Sequence, residues 1–185
     1  MTYQTQGIIL KKTDFGETDQ LFSIYTNSQG KVIALGRGTK KIQSKLSGSL
    51  QQFCLLDLMI APGKNCSHIA GVTLAKNFSG IRNDLKKIIL GSFALELIDK
   101  FTQPAQPDTS IFILLSKYLV AINDNLFSEK EWRLIKQAFI VKLLSLLGLA
   151  PGAEIASDSK RLNQFLKNYL DSELQTEKFL IRMKI

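Results

Sequence analysis

Residues 30–53 read GKVIALGRGTKKIQSKLSGSLQQF, and this stretch predicts both the fold and the function of the chain. It starts as a β-strand at residues 31–35 and breaks at Gly36 and Gly38, which can take backbone angles that other residues avoid. The glycines open a loop that is rich in hydroxyl groups and cations. Five cations and no acid lie between positions 31 and 45, namely Lys31, Arg37, Lys40, Lys41 and Lys45.

These cations favour an anionic partner. Lys, Arg, Ser and Thr are the residue types that hold phosphate oxygens, and a cationic loop beside a twisted strand suits a site that follows a nucleic-acid backbone. A solvated surface loop has the same composition, so the context has to decide. We predict four to six phosphate contacts and a salt slope of roughly −3 to −4 on single strands, at about 0.7 per contact. The predicted contacts are Lys31, Arg37, Lys40, Lys41, Lys45 and, from the preceding sequence, Lys12.

Composition agrees with a basic globular protein. The 185 residues are 45% hydrophobic and 22% charged, and the net charge is +8. Residues 1–80 carry nine Lys or Arg against four Asp or Glu, whereas residues 81–185 carry fifteen against twelve. Residues 1–80 therefore have the larger excess of positive charge, and most of it lies within residues 30–53. A basic balance indicates an anionic partner without identifying it.

No apolar run reaches the roughly 18 residues that a membrane span needs, and the start MTYQTQG lacks a signal-peptide pattern. We therefore expect a cytoplasmic protein without a membrane partner. Cys54 and Cys66 are too few and too far apart for a zinc site. We expect Cys54 to be a small core residue and Cys66 a loop thiol.

The first part of the chain reads as five short strands separated by turn signals. They are expected at residues 6–13, 18–26, 31–35, 53–61 and 67–76. Five antiparallel strands, with the longest connection after the third, suit a small closed barrel. We predict an OB-fold barrel, which binds single-stranded nucleic acid on one face and its loops. A five-stranded SH3-like barrel fits the pattern nearly as well.

From Arg82 the hydrophobic period changes to that of amphipathic helices. The predicted helices start at Asn83 or Asp84, at Asp108, at Ser128 and at Lys160, and the tail from residue 172 could form a last short one. The predicted class is α+β in two parts. An OB-fold nucleic-acid-binding domain takes residues 1–80, and an all-helical domain takes residues 81–185.

No catalytic, metal or cofactor constellation is evident. The single histidine, His68, is expected to be structural. The glycines lack the spacing of a Walker or dinucleotide motif. Asp14, Glu17 and Asp19 could hold Mg²⁺ in a nuclease, but hairpin-turn residues explain them more simply. We therefore predict a binding protein and no enzyme. An RNA-binding or ribosome-associated factor is the alternative, since a basic barrel does not distinguish DNA from RNA.

At this point the sequence resembles a known family. The segment TQGIILKKTDFGETDQLFSIYTNSQGKVIALGRGTKKIQSKLSGSLQQF at residues 5–53 is similar to the N-terminal barrel of the RecO family of bacterial DNA repair proteins. The turn at residues 16–19, the Gly30-Lys31 opening of the third strand and the basic segment after Arg37 carry the resemblance. It continues through residues 53–58, 83–101, 146–151 and 160–183.

The resemblance implies a recombination mediator. Such a protein would bind single- and double-stranded DNA, anneal complementary strands, and act with RecR and the single-strand DNA-binding protein to help RecA load, near the nucleoid. It also implies that the acidic C-terminal peptide of the single-strand DNA-binding protein docks on the helical half. The rim residues expected for that groove are Lys117, Arg133 and Lys136.

One feature departs from the family pattern. Family members often carry a four-cysteine zinc module just after the Leu-Gly-x-x-Pro element, which ends here at Pro151. No cysteine follows Cys66, so we expect a short form without that module.

Overall fold

The fold comes from a computed structural model, which describes residues 1–41, 48–64, 66–170 and 172–183. Its strands are β1 (Tyr3–Phe15), β2 (Asp19–Thr26), β3 (Gly30–Gly36), β4 (Cys54–Ala61) and β5 (Ser67–Asn77). The helices are α1 (Ser79–Arg82), α2 (Leu85–Phe101), α3 (Thr109–Asp124), α4 (Glu129–Leu146), α5 (Ala153–Ser157), α6 (Ser159–Lys167) and α7 (Gln175–Met183).

The five strands close into a barrel in the order β1-β2-β3-β5-β4. All neighbours are antiparallel except β3 and β5, which run parallel with Ala34 opposite Ser67. Because β4 lies between β1 and β5, the order is a Greek key and not a simple meander, as in an OB-fold. The predicted α+β class, with an OB-fold barrel followed by helices, is confirmed.

The interior of the barrel is apolar because alternate residues of each strand face inward. Phe22 and Ile24 of β2 meet Leu56, Leu58 and Ile60 of β4 there, all at most 2% exposed. Cys54 at the start of β4 is buried in the same cluster, as the sequence predicted. This core fixes the positions of the strand ends from which the loops leave.

The main helices begin at the residues that the sequence marks as caps. Asp84 and Asp108 each accept two backbone N–H bonds at the start of α2 and α3. Ser128 and Glu131 form a complete capping box at the start of α4. The short helices α1 and α5 were not predicted, since elements of four and five residues are too short to show a hydrophobic period.

A second hydrophobic cluster joins the barrel to the helices. It contains Ile8 and Tyr25 from the outer side of the barrel together with Phe93 and Leu97 of α2. The Tyr25 hydroxyl donates to the carbonyl of Asp108 at 3.2 Å. The two parts therefore share one packed core across their contact. Their division at residues 80 and 81 stays a prediction.

Candidate nucleic-acid interface

The cationic loop leaves the barrel at the end of β3 with a fixed start. Gly38 has a φ of +63°, a conformation that favours glycine. Thr39 is buried, and its hydroxyl donates to the Gly36 carbonyl at 3.2 Å. Arg37 and Lys41 lie exposed on either side of this turn. The loop start thus presents cations from a backbone that is already bent.

The β1–β2 hairpin holds this turn in place. The Asp19 carboxylate accepts a bond from the Gly38 N–H at 2.8 Å, and the Lys40 N–H donates to the Thr18 carbonyl at 2.9 Å. The Gly38 bond and the Thr18 hydroxyl lower the pKa of Asp19. Asp19 therefore serves as a loop anchor, which agrees with the hairpin-turn interpretation of the acidic residues.

A salt bridge adds to this contact. Lys40 Nζ lies 3.1 Å from Asp14, and the two side chains are 34% and 65% exposed. The Asp14 carboxylate also accepts from Gln20 at 3.0 Å. The Gln20 hydrogen bond and the pairing with Lys40 lower the pKa of Asp14. Because the pair faces water, it contributes little to stability and a competing anion can replace Asp14.

Two further residues extend the basic surface along β1. Lys12 is exposed and close enough to Asp14 to lower its pKa slightly. Phe15, at the hairpin tip, is 57% exposed, whereas two other aromatic residues near this surface, Tyr25 and Phe53, are buried in the core. We call the set Lys12, Phe15, Arg37, Lys40 and Lys41 the cationic arc. It combines charges for phosphates with one open aromatic face for a base.

Lys31 does not join the arc. It lies at the opposite end of β3, where its ammonium group pairs with Asp99 at 3.1 Å and donates to the carbonyls of Asp99 and Thr102. Only 12% of its side chain is exposed. The Lys31 ammonium group binds the C-terminal end of α2 to the barrel. We therefore do not include Lys31 in the candidate interface, although the sequence predicted it there. Lys45 lies outside the described residues.

Sequence reasoning missed Arg82. It lines a pocket of about 330 Å³ at the contact between barrel and helices, which we call the junction pocket. The other lining residues are Lys12, Gln51, Gln52, Phe53 and Ile88. The guanidinium donates to the Gln52 carbonyl at 2.7 Å, thirty residues earlier in the chain. No local sequence pattern links Arg82 to Gln52. The only signal in the sequence was a cation that follows the last predicted strand.

The helical half contains a small groove of about 180 Å³ between α4 and α6. Arg133 and Lys136 line it together with Ile140 and Leu162. Lys136 lies over the Phe93 ring, 4.1 Å from its centroid, and burial lowers the pKa of its amine. Lys117 is exposed on α3 and is not among the residues of this groove. The structure thus brings together two of the three predicted rim residues.

The described ranges contain no group of three or more His, Cys, Asp or Glu side chains placed to hold a metal ion. His68 is half-buried at the start of β5, where it pairs with Leu35 of the parallel strand β3. Among the helices of the described chain, none combines the length and apolarity of a membrane span.

Comparison with known proteins gives a consistent result over both halves. Residues 1–78 match the family model "Recombination protein O N terminal", and residues 82–173 match "Recombination protein O C terminal". The two matches together cover most of the sequence and meet at the end of the barrel.

Curated relatives carry the same name. The chain is 32% identical to the DNA repair protein RecO of Moorella thermoacetica, over 86% of this chain and 58% of that protein. It is 28% identical to the RecO of Alkaliphilus metalliredigens, over 82% and 60%. For the RecO of Desulforamulus reducens the identity is 29%, over 80% and 56%. The chain thus matches somewhat more than half the length of these relatives.

Proposed function

Because this chain belongs to the RecO family, whose role is in DNA repair and recombination, we propose that the cationic arc binds the phosphate backbone of DNA. Arg37 and Lys41 supply exposed charge beside the Asp19 carboxylate, whose pKa they help to lower, and Lys40 and Lys12 add to it from the hairpin side. Phosphates carry no base identity, so binding through the arc should be nearly independent of sequence.

The observation that carries this proposal is the fixed geometry of the loop start. The Asp19 and Thr18 bonds hold residues 38 and 40 on the hairpin, so Arg37 and Lys41 project from an ordered turn. A preorganised turn loses less conformational entropy on binding than a free lysine-rich loop would. Phe15 at the same tip offers a face on which an unpaired base can stack.

Strand annealing follows from the same chemistry. Cations that neutralise phosphates reduce the repulsion between two strands, and contacts to phosphates leave the base edges free to pair. We propose that the protein binds single- and double-stranded DNA and promotes annealing in this way. We further propose that it acts in the cytoplasm with RecR and the single-strand DNA-binding protein to assist RecA loading.

We propose that the groove between α4 and α6 receives the C-terminal peptide of the single-strand DNA-binding protein. Ile140 and Leu162 form its apolar floor, where they are 2% and 1% exposed, and Arg133 stands exposed at its rim. An acidic peptide with an apolar end needs this combination. Since Lys136 is largely buried against Phe93, Arg133 is the more accessible of the two cations.

The test of DNA binding is a salt titration of labelled single strands with the wild type and with Arg37→Ala combined with Lys41→Ala. Loss of two phosphate contacts should lower the salt slope by about 1.4, which at 0.1 M salt corresponds to roughly 25-fold weaker binding. The matched control is Lys130→Ala combined with Lys142→Ala, two exposed cations of α4. An equal slope in the arc variant and the control would reject the proposal, and tighter binding of matched RNA would favour the RNA-binding alternative.

A further inference from the structure

The junction pocket continues the basic surface from the loop into the contact between barrel and helices. Lys12 belongs to both, since it lines the pocket and also lies beside Asp14, which binds Lys40. Lys12 and Asp14 lie two residues apart on the same face of β1, roughly 7 Å along the strand. A polymer bound at Lys40 therefore reaches Lys12 and the pocket by following this face of β1.

Arg82 is fixed in the pocket wall, and its bonds to the described residues use only part of its donors. Its Nη2 atom donates to the Gln52 carbonyl at 2.7 Å and contacts Cys54 Sγ at 3.0 Å. Both contacts use one nitrogen, whereas the guanidinium carries five N–H donors. A planar donor group held in this manner suits an oxyanion such as a phosphate, which it can meet with two parallel bonds.

The pocket also contains uncharged residues, which a site for a simple anion would not need. Gln52 is fixed, because its side chain donates to the Leu10 carbonyl at 2.8 Å. Gln51 is exposed and brings an amide with both donors and an acceptor. Ile88 of α2 supplies a half-buried apolar surface. The cation, the amide and the apolar surface can each contact a different feature of a nucleotide. These features are the phosphate, the edge of the base and the face of the base.

We propose that the junction pocket holds one unpaired nucleotide of the strand bound by the cationic arc. Arg82 and Lys12 bind a phosphate, Gln51 bonds the edge of the base, and the base face lies on Ile88. This inference rests on the proposed DNA-binding function. A base enters such a pocket only when it is out of its stack and unpaired, so the pocket favours single-stranded over double-stranded DNA.

The first experiment compares Lys12→Ala with Lys11→Ala, a neighbouring exposed lysine on the opposite face of β1 that does not line the pocket. Lys12→Ala should weaken single-strand binding roughly five-fold at 0.1 M salt and lower the slope by about 0.7. Lys11→Ala should change neither. Because Lys12 also belongs to the cationic arc, Lys12→Ala should weaken double-stranded binding too, but by less than it weakens single-stranded binding; an equal loss on both would assign Lys12 to the arc alone.

The second experiment tests the base contact. A single strand carries one fluorescent adenine analogue, whose emission changes when the base leaves its stack, moved one position at a time. Because binding through phosphates has no fixed register, several positions should show an emission change with the wild type, and Gln51→Ala and Arg82→Gln should each reduce it. Gln51 is exposed, so its variant tests the contact even if Arg82→Gln disturbs folding.

The outcomes separate the two proposals. If Lys12→Ala behaves as Lys11→Ala does, or no analogue position responds, the junction pocket is not a nucleotide site. If the Arg37 and Lys41 variant still lowers the salt slope in that case, the proposed function stands without the pocket. If none of these variants changes the slope, both proposals fail.

Discussion

The two ends of β3 carry cations that look alike in the sequence and have opposite roles in the structure. At the start of the strand, the Lys31 side chain is only 12% exposed and pairs with Asp99 of α2. Just after the end of the strand, Arg37 is exposed beside a turn that the hairpin holds. The first cation joins the barrel to the helices, and the second is exposed to solvent, where a ligand can reach it. A positive charge therefore indicates a binding site only once its neighbours are known.

The largest contrast is expected between two glycines with the same backbone conformation. Gly30 and Gly38 have φ angles of +64° and +63°, but an added Cβ at Gly30 would lie 2.3 Å from the Gln106 carbonyl oxygen, whereas at Gly38 its nearest neighbour is Lys41 Cδ at 3.7 Å. Gly38→Ala should cost only the left-handed strain, about 1–2 kcal/mol. Gly30→Ala should lower the free energy of unfolding by several kcal/mol, about 4 or more. Denaturant unfolding measures both, and equal losses would contradict the difference between the two ends.

The lysines of the two ends give the next largest effect. Lys31→Ala removes the cation beside Asp99, which keeps its bond from the Ser23 hydroxyl at 2.6 Å, and the donor to the carbonyls of Asp99 and Thr102, so we expect a loss of about 2 kcal/mol. The midpoint temperature of thermal unfolding should fall by roughly 5–10 °C in a chain of this size. Lys41→Ala, the matched control, should stay within about 0.5 kcal/mol. If Lys31→Ala instead left stability unchanged and lowered the salt slope of DNA binding, Lys31 would belong to the interface.

Asp14 offers a smaller, opposite test at the loop end. It pairs with Lys40 in water-exposed surroundings and so competes with a phosphate for that cation. Asp14→Asn should therefore tighten DNA binding by up to roughly five-fold at 0.1 M salt and steepen the slope by about 0.7. Asp57→Asn, an equal charge change on β4, is the control. Weaker binding by Asp14→Asn would mean that Asp14 positions Lys40 for DNA and does not compete for it.

The smallest expected effect is the pH dependence of the loop anchor. Because the Gly38 and Thr18 bonds lower the pKa of Asp19 in the folded protein, the anchor should be intact above the ordinary carboxyl value of about 3.9. It is lost as the pH falls through the lowered pKa. The Gly38 amide resonance should titrate with a midpoint below about 3.9. Asp19→Asn should abolish the titration, and a midpoint at or above the ordinary value would contradict the anchor.

The sequence predicted the parts of the fold that depend on neighbouring residues. The caps at Asp84, Asp108 and Ser128 lie within the first turn that they stabilise, so a local pattern reveals them. The alternation of apolar residues likewise placed the five strands to within a few residues. These signals act over three or four positions, which is the range that a single sequence shows directly.

The candidate site depended on longer-range contacts and was only partly visible. The burial of Lys31 depends on Asp99, sixty-eight residues later. Arg82 enters the junction pocket by bonding Gln52 in another element. Phe53 takes a φ of 58° and turns into the core, which its neighbours in sequence do not indicate. In each case the partner is brought close only by closure of the barrel and packing of α2.

The way in which the cationic loop is tied down has a mechanical consequence. Its start is bonded to the β1–β2 hairpin through Asp19, and its return passes through Phe53, whose ring rests on Gly91 of α2. The attachments thus belong to different halves of the molecule. Tension that a bound polymer applies at Gly38 or Phe53 would therefore be shared between the barrel wall and α2.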